Sequence, residues 1–495
     1  MQAEKVVSII GKGTTYLFVA VVINYFIGFF FRVFIAQTLG AEALGIVALM
    51  LMFIGIFGII FNLGLSGAVT KYIASFLAKK KEVDILYSTG LKMVFVLTLT
   101  GSVVLFMISE YLAVGVFKSP FAVFPFQLTS IALFFQAIQT FFKSCSSGYQ
   151  RLGNIAITDV FERGSNLVIV ILLVYLGFGI MGPVYSILLS FVIALLVSWV
   201  LFRHIAKLSL SGFDSNIARM LFKFGIPMAV AGGAAMVFSW ADSFIIGVFL
   251  DVENVGFYSA AVSLYIFLGG IVGALATALF PAFSTIEAVR DKKMMREVIN
   301  RSLKYTIYLI LPASFGLFML SGPTIRILFG GDFYSAVLPL QILVFGSLFL
   351  AVSRICYSFI AGTGDPASYT RYMIFSGIIN IILNVILIPL YGLVGAAIAT
   401  TISLFILFLL TIVFVHKRIG IGFGYLPKPI ISTAVMLFVI FLIRSYLLVG
   451  TWGRVVLVMI AGVVVYCSVL YTLKGFDETD KRIIGMFFAK IRKVL

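Results

Sequence analysis

The sequence has 495 residues, of which 62% are hydrophobic and only 11% are charged, and its formal net charge is +17. Soluble globular domains carry about 25% charged residues, so this composition excludes an ordinary soluble domain. A net charge of this size could also suit a nucleic-acid-binding protein. The basic residues, however, occupy short segments between apolar stretches, and no nucleic-acid partner is predicted.

Fourteen mostly apolar stretches, each of roughly 16 to 27 residues, run almost end to end through the chain. An α-helix of about 20 apolar residues spans the core of a bilayer, whereas barrel strands alternate in polarity over about ten residues. The sequence therefore predicts an all-α polytopic membrane protein with 14 transmembrane helices. The predicted spans are 14–38, 44–70, 89–108, 124–142, 155–176, 183–202, 225–250, 255–280, 305–320, 338–360, 372–390, 393–415, 430–448 and 455–470.

The positions of the basic residues predict the orientation in the membrane. With the N-terminus placed inside, all but five of the 36 lysines and arginines fall on the inner faces. This excess follows the positive-inside rule and predicts a multi-pass protein of the cell membrane with both termini cytoplasmic. The last segment, 474–495, has the spacing of a basic amphipathic helix on the cytoplasmic interface, with Asp477 or Asp480 as its N-cap.

An internal repeat of six spans is the next strongest pattern. The matching segments are 43–45 (ALG) with 254–256 (NVG), Asn166 with Asn380, and 179–182 (GIMG) with 392–395 (GLVG), at offsets of 211, 214 and 213 residues. Because six is even, both halves have the same orientation, and parallel repeats of this kind are typical of transporters with a site between the halves. The predicted divisions are an N-lobe (1–208), a C-lobe (209–418), two further spans (419–473) and the tail (474–495).

Two ionisable residues lie within spans that the repeat makes equivalent. Arg32 is in the first span and Asp242 is at a similar depth in the seventh. A charge inside the bilayer is costly, so such residues usually face a cavity and a partner. We therefore expect the two side chains to face each other across a central cavity as an ion pair or gate. The alternative is that Arg32 extends to the outer headgroups.

Further charged residues lie toward the cytoplasmic ends of the spans. Asp159, Glu162 and Arg163 share one surface of the fifth span because they are three and four residues apart. Arg354 lies in the tenth span, and Arg371 begins the eleventh. Arginine suits a diphosphate because its planar guanidinium donates two parallel hydrogen bonds to phosphate oxygens. Arg163 and Arg371 could instead be ordinary interfacial residues of the cytoplasmic face.

These positions form the predicted site. The predicted substrate-binding residues are Arg32, Asp242, Arg354, Arg163 and Arg371, and the predicted ion-coupling residues are Asp242, Glu162 and Asp159. A buried acid beside an arginine can exchange a proton or a Na⁺ ion for the charge of a substrate.

Several motifs resemble those of one family. They are residues 40–49 (GAEALGIVAL), 242–247 (DSFIIG), 255–260 (VGFYSA), 312–316 (PASFG) and 328–330 (LFG). In their order and spacing they resemble the Wzx-type polysaccharide biosynthesis and export proteins, which belong to the superfamily of the multidrug and toxin extrusion carriers. The resemblance implies two six-helix lobes around a central cavity and the movement of polyprenol-linked sugars across the membrane. It further implies membrane lipids and glycan-assembly enzymes as partners.

Catalytic and cofactor motifs are not evident. There is no HExxH motif, Lys12 lacks the upstream glycine of a P-loop, and Cys145, Cys356 and Cys467 have no CxxC spacing. No enzyme activity, metal or other cofactor is therefore predicted. The predicted function is alternating-access flipping of a polyprenyl-diphosphate-linked oligosaccharide from the cytoplasmic to the outer leaflet. The alternatives are a cation-coupled multidrug exporter of the same superfamily and a membrane glycan polymerase or ligase.

Overall fold

A computed structural model describes residues 2–205, 212–446, 452–477 and 480, with side chains described from residue 20 onward. All regular elements within these residues are helical. The α-helices are α1 (Gln2–Asn62), α2 (Leu65–Ala78), α3 (Asp84–Glu110), α4 (Val123–Gly148), α5 (Leu152–Tyr175), α6 (Met181–Arg203), α7 (Ser215–Phe249), α8 (Val252–Ala288), α9 (Lys292–Met319), α10 (Ser321–Leu328), α11 (Val337–Gly362), α12 (Pro366–Ile419), α13 (Pro427–Tyr446) and α14 (Trp452–Thr472). A π-helical turn (Tyr111–Val116) and two 3₁₀ turns (Pro120–Ala122, Gly331–Ala336) connect some of them.

Ten helices among the described residues are long and apolar enough to cross a membrane, which confirms the polytopic all-α class. Two of them, α1 with 61 residues and α12 with 54, are far longer than the roughly 20 residues that one crossing needs. Each is bent at a glycine with positive φ, 80° at Gly40 and 58° at Gly392. Only glycine adopts such a conformation at low cost, so each long helix consists of two arms.

The helices pack in an order that reflects the repeat. We call residues 2–205 the first lobe and residues 212–419 the second lobe. Helix α4 packs on α6 and α5 on α6 in the first lobe, while α11 packs on both α8 and α12 in the second. The lobes meet mainly where α1 crosses α8, and one buried apolar cluster extends across that crossing. Helices α13 and α14 pack against each other and against α9.

The repeat appears in the structure as matching helices. Helices α4 and α11 each have 26 residues, and they begin 214 residues apart, at Val123 and Val337. A matching hydrogen bond links two helices in each lobe. Ser186 Oγ donates to Asn166 Oδ1 at 2.8 Å in the first lobe, and Asn380 Nδ2 donates to Thr400 Oγ1 at 3.3 Å in the second. Both partners are again 214 residues apart.

The closest approach between the lobes is also reciprocal. A Cβ atom on Gly45 would lie 1.9 Å from the carbonyl oxygen of Val252, and one on Gly256 would lie 1.9 Å from the carbonyl oxygen of Ala41. Each pair is related to the other by the same 211-residue offset. The two backbones can therefore touch only because both contact positions lack a side chain.

The beginning of the C-terminal tail is attached to α9. Asp477 and Asp480 each accept a hydrogen bond at 2.8 Å from the other's backbone N–H, so both take part in the predicted cap. The buried Asp480 carboxylate also accepts hydrogen bonds from Lys304 and Tyr305, each at 2.5 Å. The rest of the predicted amphipathic segment lies outside the described residues.

Adding one methyl group at the lobe crossing should separate α1 from α8 at this point. In Gly45→Ala or Gly256→Ala the new carbon would overlap a backbone oxygen that no rotamer change can move. Overpacking of this kind costs about 1–3 kcal/mol, so we expect a clear shift toward conformations in which the crossing is open. The measurement is the distance distribution between spin labels at Glu42→Cys and Glu253→Cys, two exposed residues beside the crossing, in a background without native cysteines.

The control is Gly153→Ala, because no atom lies within 4 Å of its new Cβ. Label distances in this variant should match those of the parent. Parent-like distances in both Gly45→Ala and Gly256→Ala would mean that the crossing does not limit the approach of the lobes.

Candidate functional site

A cavity of about 370 Å³ lies between the lobes, bounded by α1 and α5 on one side and by α8 on the other. Its polar lining residues are Asn24, Tyr25, Arg32, Arg163, Asn166 and Ser263. Phe29 of the first lobe and Phe267 of the second form part of its apolar wall, with ring centroids 5.1 Å apart. None of the described residues that line the cavity is acidic.

Two arginines supply the charge of the cavity. Arg32 reaches it from α1 and Arg163 from α5, and the two guanidinium groups are close enough to repel each other. Arg163 is about half exposed, with Nε 3.9 Å from Glu162 Oε1, whereas Arg32 has no ion-pair partner among the described residues. Like charges placed together in a site of low polarity favour the entry of an anion that can contact both.

The cavity also contains hydrogen-bonding groups that could meet a neutral polar ligand. Asn24 Oδ1 is buried and has no hydrogen-bond partner among the described residues. Asn166 Oδ1 is already occupied by Ser186. Buried polar atoms normally have a partner, so an orphan acceptor in a cavity is suited to a hydroxyl or amide donor of a ligand.

The two predicted acids of α5 bind to residues of α4. Glu162 Oε2 accepts a hydrogen bond from Gln139 Nε2 at 2.7 Å, and its side chain is only 14% exposed. Asp159 forms an ion pair with Lys143. Both carboxylates therefore hold α4 and α5 together in this conformation, and Glu162 in addition lies beside the Arg163 of the cavity.

Asp242 is at the centre of a separate network inside the second lobe. Its Oδ2 accepts hydrogen bonds from Tyr258 Oη at 2.7 Å and Thr400 Oγ1 at 2.5 Å, and its Oδ1 accepts one from Asn384 Nδ2 at 2.6 Å. Asn384 Nδ2 also donates to Asn380 Oδ1 at 3.1 Å. The Asp242 side chain has no cationic partner among the described residues, and Asn384 Oδ1 is buried without a hydrogen bond.

The expected ion pair between Arg32 and Asp242 does not form in this structure. The described ion pairs do not include it, and Asp242 is surrounded by α7, α8 and α12 rather than facing the cavity. The physical reason is the direction of the side chain around its helix axis. Consecutive residues of an α-helix point about 100° apart, so a similar depth in the membrane does not place two residues on facing surfaces.

The two remaining predicted arginines also lie apart from the cavity. Arg354 Nη1 donates to the carbonyl oxygen of Gly269 at 2.7 Å, and a Cβ on Gly273 would lie 2.6 Å from the same nitrogen. The guanidinium thus lies in a groove of α8 that glycines keep open. Its neighbour along α8, Phe267, lines the cavity, so Arg354 is next to the site rather than in it.

Arg371 lies at the beginning of α12. Its Nη2 donates to Ser368 Oγ at 2.8 Å, and Ser368 Oγ donates to Asp365 Oδ2 at 2.7 Å. The Ser368 hydrogen bond and the charge of Arg371 hold the pKa of the exposed Asp365 carboxyl below its usual value. These contacts give Arg371 a role in capping α12, and the described structure does not place it with Arg32.

Four residues of these sites carried no distinct sequence signal. Asn24 and Gln139 are single polar residues in apolar helices, and Tyr258 and Thr400 are of types that are common in membrane spans. Thr400 could have been found from the repeat, because it is the counterpart of Ser186 at the 214-residue offset.

Comparisons with known proteins give a consistent result. A family model described as polysaccharide biosynthesis protein matches residues 34–338. A relative from Haloferax volcanii, named "Probable low-salt glycan biosynthesis flippase Agl15", is 27% identical over 95% of this chain and 97% of its own. Among solved structures, the lipid II flippase MurJ in an inward closed conformation has a TM-score of 0.74 at 19% identity, covering 92% of this chain and 97% of its own.

The fold is shared more widely. An inward-facing multidrug resistance transporter of the MATE family has a TM-score of 0.68 at 16% identity, covering 80% of this chain and 94% of its own. These two likenesses establish the architecture, and the family model, which matches more than half of the chain, establishes the family. The chain is a member of the polysaccharide biosynthesis protein family, with the fold of the lipid II flippase and multidrug extrusion carriers.

Proposed function

We infer that this protein flips a polyprenyl-diphosphate-linked oligosaccharide across the cell membrane by alternating access. The observation that carries this conclusion is the cavity between the lobes, which contains Arg32 and Arg163 and no acidic lining residue among those described. A diphosphate matches two guanidinium groups in charge and in hydrogen-bonding geometry. An organic cation, the substrate of a multidrug exporter, would be repelled by the same groups.

The cavity divides the substrate by polarity. The diphosphate contacts Arg32 and Arg163, while the first sugars meet the orphan Oδ1 of Asn24 and the aromatic wall at Phe29 and Phe267. A cavity of about 370 Å³ holds a diphosphate and a sugar but not a long polyprenol, so the tail stays in the lipid. The similarity to relatives named as flippases supports this substrate class.

The membrane topology belongs to the same proposal. The two-armed helices α1 and α12 each provide two crossings, and α5 and α7 are further helices of spanning length. Added to the remaining apolar helices, they give 14 spans, an even number that keeps both termini on one face. The excess of basic residues supports the cytoplasm as that face. Movement then consists of opening and closing the contact between α1 and α8 on the outer side.

Coupling to an ion gradient is proposed at Asp242. Its carboxylate is buried among three neutral donors without a cation, and the nearby Oδ1 of Asn384 is unpaired. Carboxylate, amide and hydroxyl oxygens are the ligands that a hard cation such as Na⁺ prefers, and the same carboxylate could take up a proton. Charging or neutralising this site changes the packing of α7 on α12, which belong to the lobe that must move.

Removing the cavity arginines should slow substrate flipping. A hydrogen bond to a charged group contributes about 1.5–3 kcal/mol, so Arg32→Gln and Arg163→Gln should each reduce translocation by roughly ten- to a hundredfold. The measurement is the rate at which a lipid-linked sugar becomes accessible to an added enzyme on the far side of reconstituted vesicles. Arg326→Gln, which removes an exposed arginine elsewhere, is the control. Parental rates in both cavity variants, with normal insertion, would rule out the diphosphate site.

Neutralising Asp242 should separate flipping from its driving force. Asp242→Asn keeps the size of the side chain and removes its charge, so we expect the acceleration by an imposed Na⁺ or proton gradient to be lost. Flipping without a gradient should persist at a measurable rate in the same vesicles. The control Glu42→Gln removes an exposed carboxylate and should respond to the gradient as the parent does. A gradient response that survives Asp242→Asn would exclude coupling at this residue.

A further inference from the structure

A second cavity, of about 580 Å³, lies on the outer surface of the second lobe, far along α12 from its bend. It is lined by Tyr372 from the first arm of α12 and by six residues from the second arm: Leu409, Leu410, Val413, Phe414, Lys417 and Arg418. We call it the α12 groove. It contains none of the residues of the inter-lobe cavity or of the Asp242 network.

The six residues of the second arm form two parallel rows. Leu409, Val413 and Lys417 are four residues apart in turn, so they lie along one face of the helix. The second row is the neighbouring set 410, 414 and 418, with the same spacing. Each row is therefore apolar over two turns and ends in a basic residue at the same end of the groove.

The walls of the groove face the lipid rather than the protein core. Leu409 is 40% exposed and Val413 is 47% exposed, and both lie in a helix that is apolar enough to cross the membrane. Tyr372 and Phe414 form the junction of the two arms, with ring centroids 6.2 Å apart. In a bilayer, an acyl chain would fill this space.

The charged end of the groove selects among lipids. Lys417 is exposed and has no ion-pair partner among the described residues, and Arg418 shares only a 3.4 Å contact with Glu287. Both cations therefore have unused donors at the level of the headgroups. Basic pockets between transmembrane helices on the cytoplasmic side are suited to anionic headgroups.

We propose that the α12 groove binds an anionic phospholipid of the cytoplasmic leaflet, with its phosphate at Lys417 and Arg418 and an acyl chain along Leu409, Val413 and Phe414. Free phosphate would use only the charged end, and a zwitterionic lipid would bring a cation toward the two basic side chains. An anionic phospholipid uses both parts. Since the groove is formed by both arms of α12, the bound lipid contacts both sides of the Gly392 bend.

The test is native mass spectrometry of the purified full-length chain with phosphatidylglycerol and with phosphatidylcholine of identical acyl chains. The parent should retain phosphatidylglycerol preferentially. Lys417→Gln combined with Arg418→Gln should bind it about tenfold more weakly. The matched control combines Lys292→Gln with Lys293→Gln, which removes the same charge from two exposed residues at the start of α9 and should leave binding unchanged.

A second pair of variants tests the acyl-chain part. Val413→Trp fills the groove without changing its charge and should also remove the preference, whereas Ile402→Trp, exposed on the same arm outside the groove, should not. Equal losses in the 417/418 and 292/293 variants would overturn the proposal in favour of diffuse attraction. So would parental binding by Val413→Trp, or displacement of the lipid by inorganic phosphate, since either would mean that the acyl chain does not contribute.

Discussion

The contact on which the rest of the structure depends is the approach of two backbones at Gly45 and Gly256. Each glycine lies against a carbonyl oxygen of the opposite lobe, at the start of α8 in one case and just past the bend of α1 in the other. This contact fixes where α1 crosses α8, and the inter-lobe cavity lies beside the same two helices. A larger residue at either position would move both walls of the cavity together.

The two lobes carry opposite charges in different surroundings. The first lobe presents arginines to an open cavity, while the second encloses a carboxylate among neutral donors. Charge buried without a counter-ion destabilises a fold unless a ligand supplies the missing charge. The cavity is thus prepared for an anion and the Asp242 network for a cation. A carrier that takes both can move them across the bilayer with little net buried charge.

The sequence predicted helices and their equivalence well, because length, apolarity and repeat offset are properties of the chain itself. The glycine bends at Gly40 and Gly392 fall where the turns were expected. Side-chain direction was predicted poorly, since it depends on how each helix is rotated. Arg32 does enter the cavity, whereas Arg354 turns into a glycine-lined groove of α8, and Asp242 points into its own lobe.

A chain built from two equivalent halves contains its own internal comparison. The reciprocal glycines and the paired hydrogen bonds at Asn166 and Asn380 are alike in both halves, as expected if duplication of one ancestral unit left the scaffold intact. At the same offsets, Tyr258 and Asn384 of the Asp242 network stand opposite Val47 and Val170, which are buried and apolar. Divergence after duplication therefore falls on the residues that bind charge, and each half marks by difference what the other has acquired.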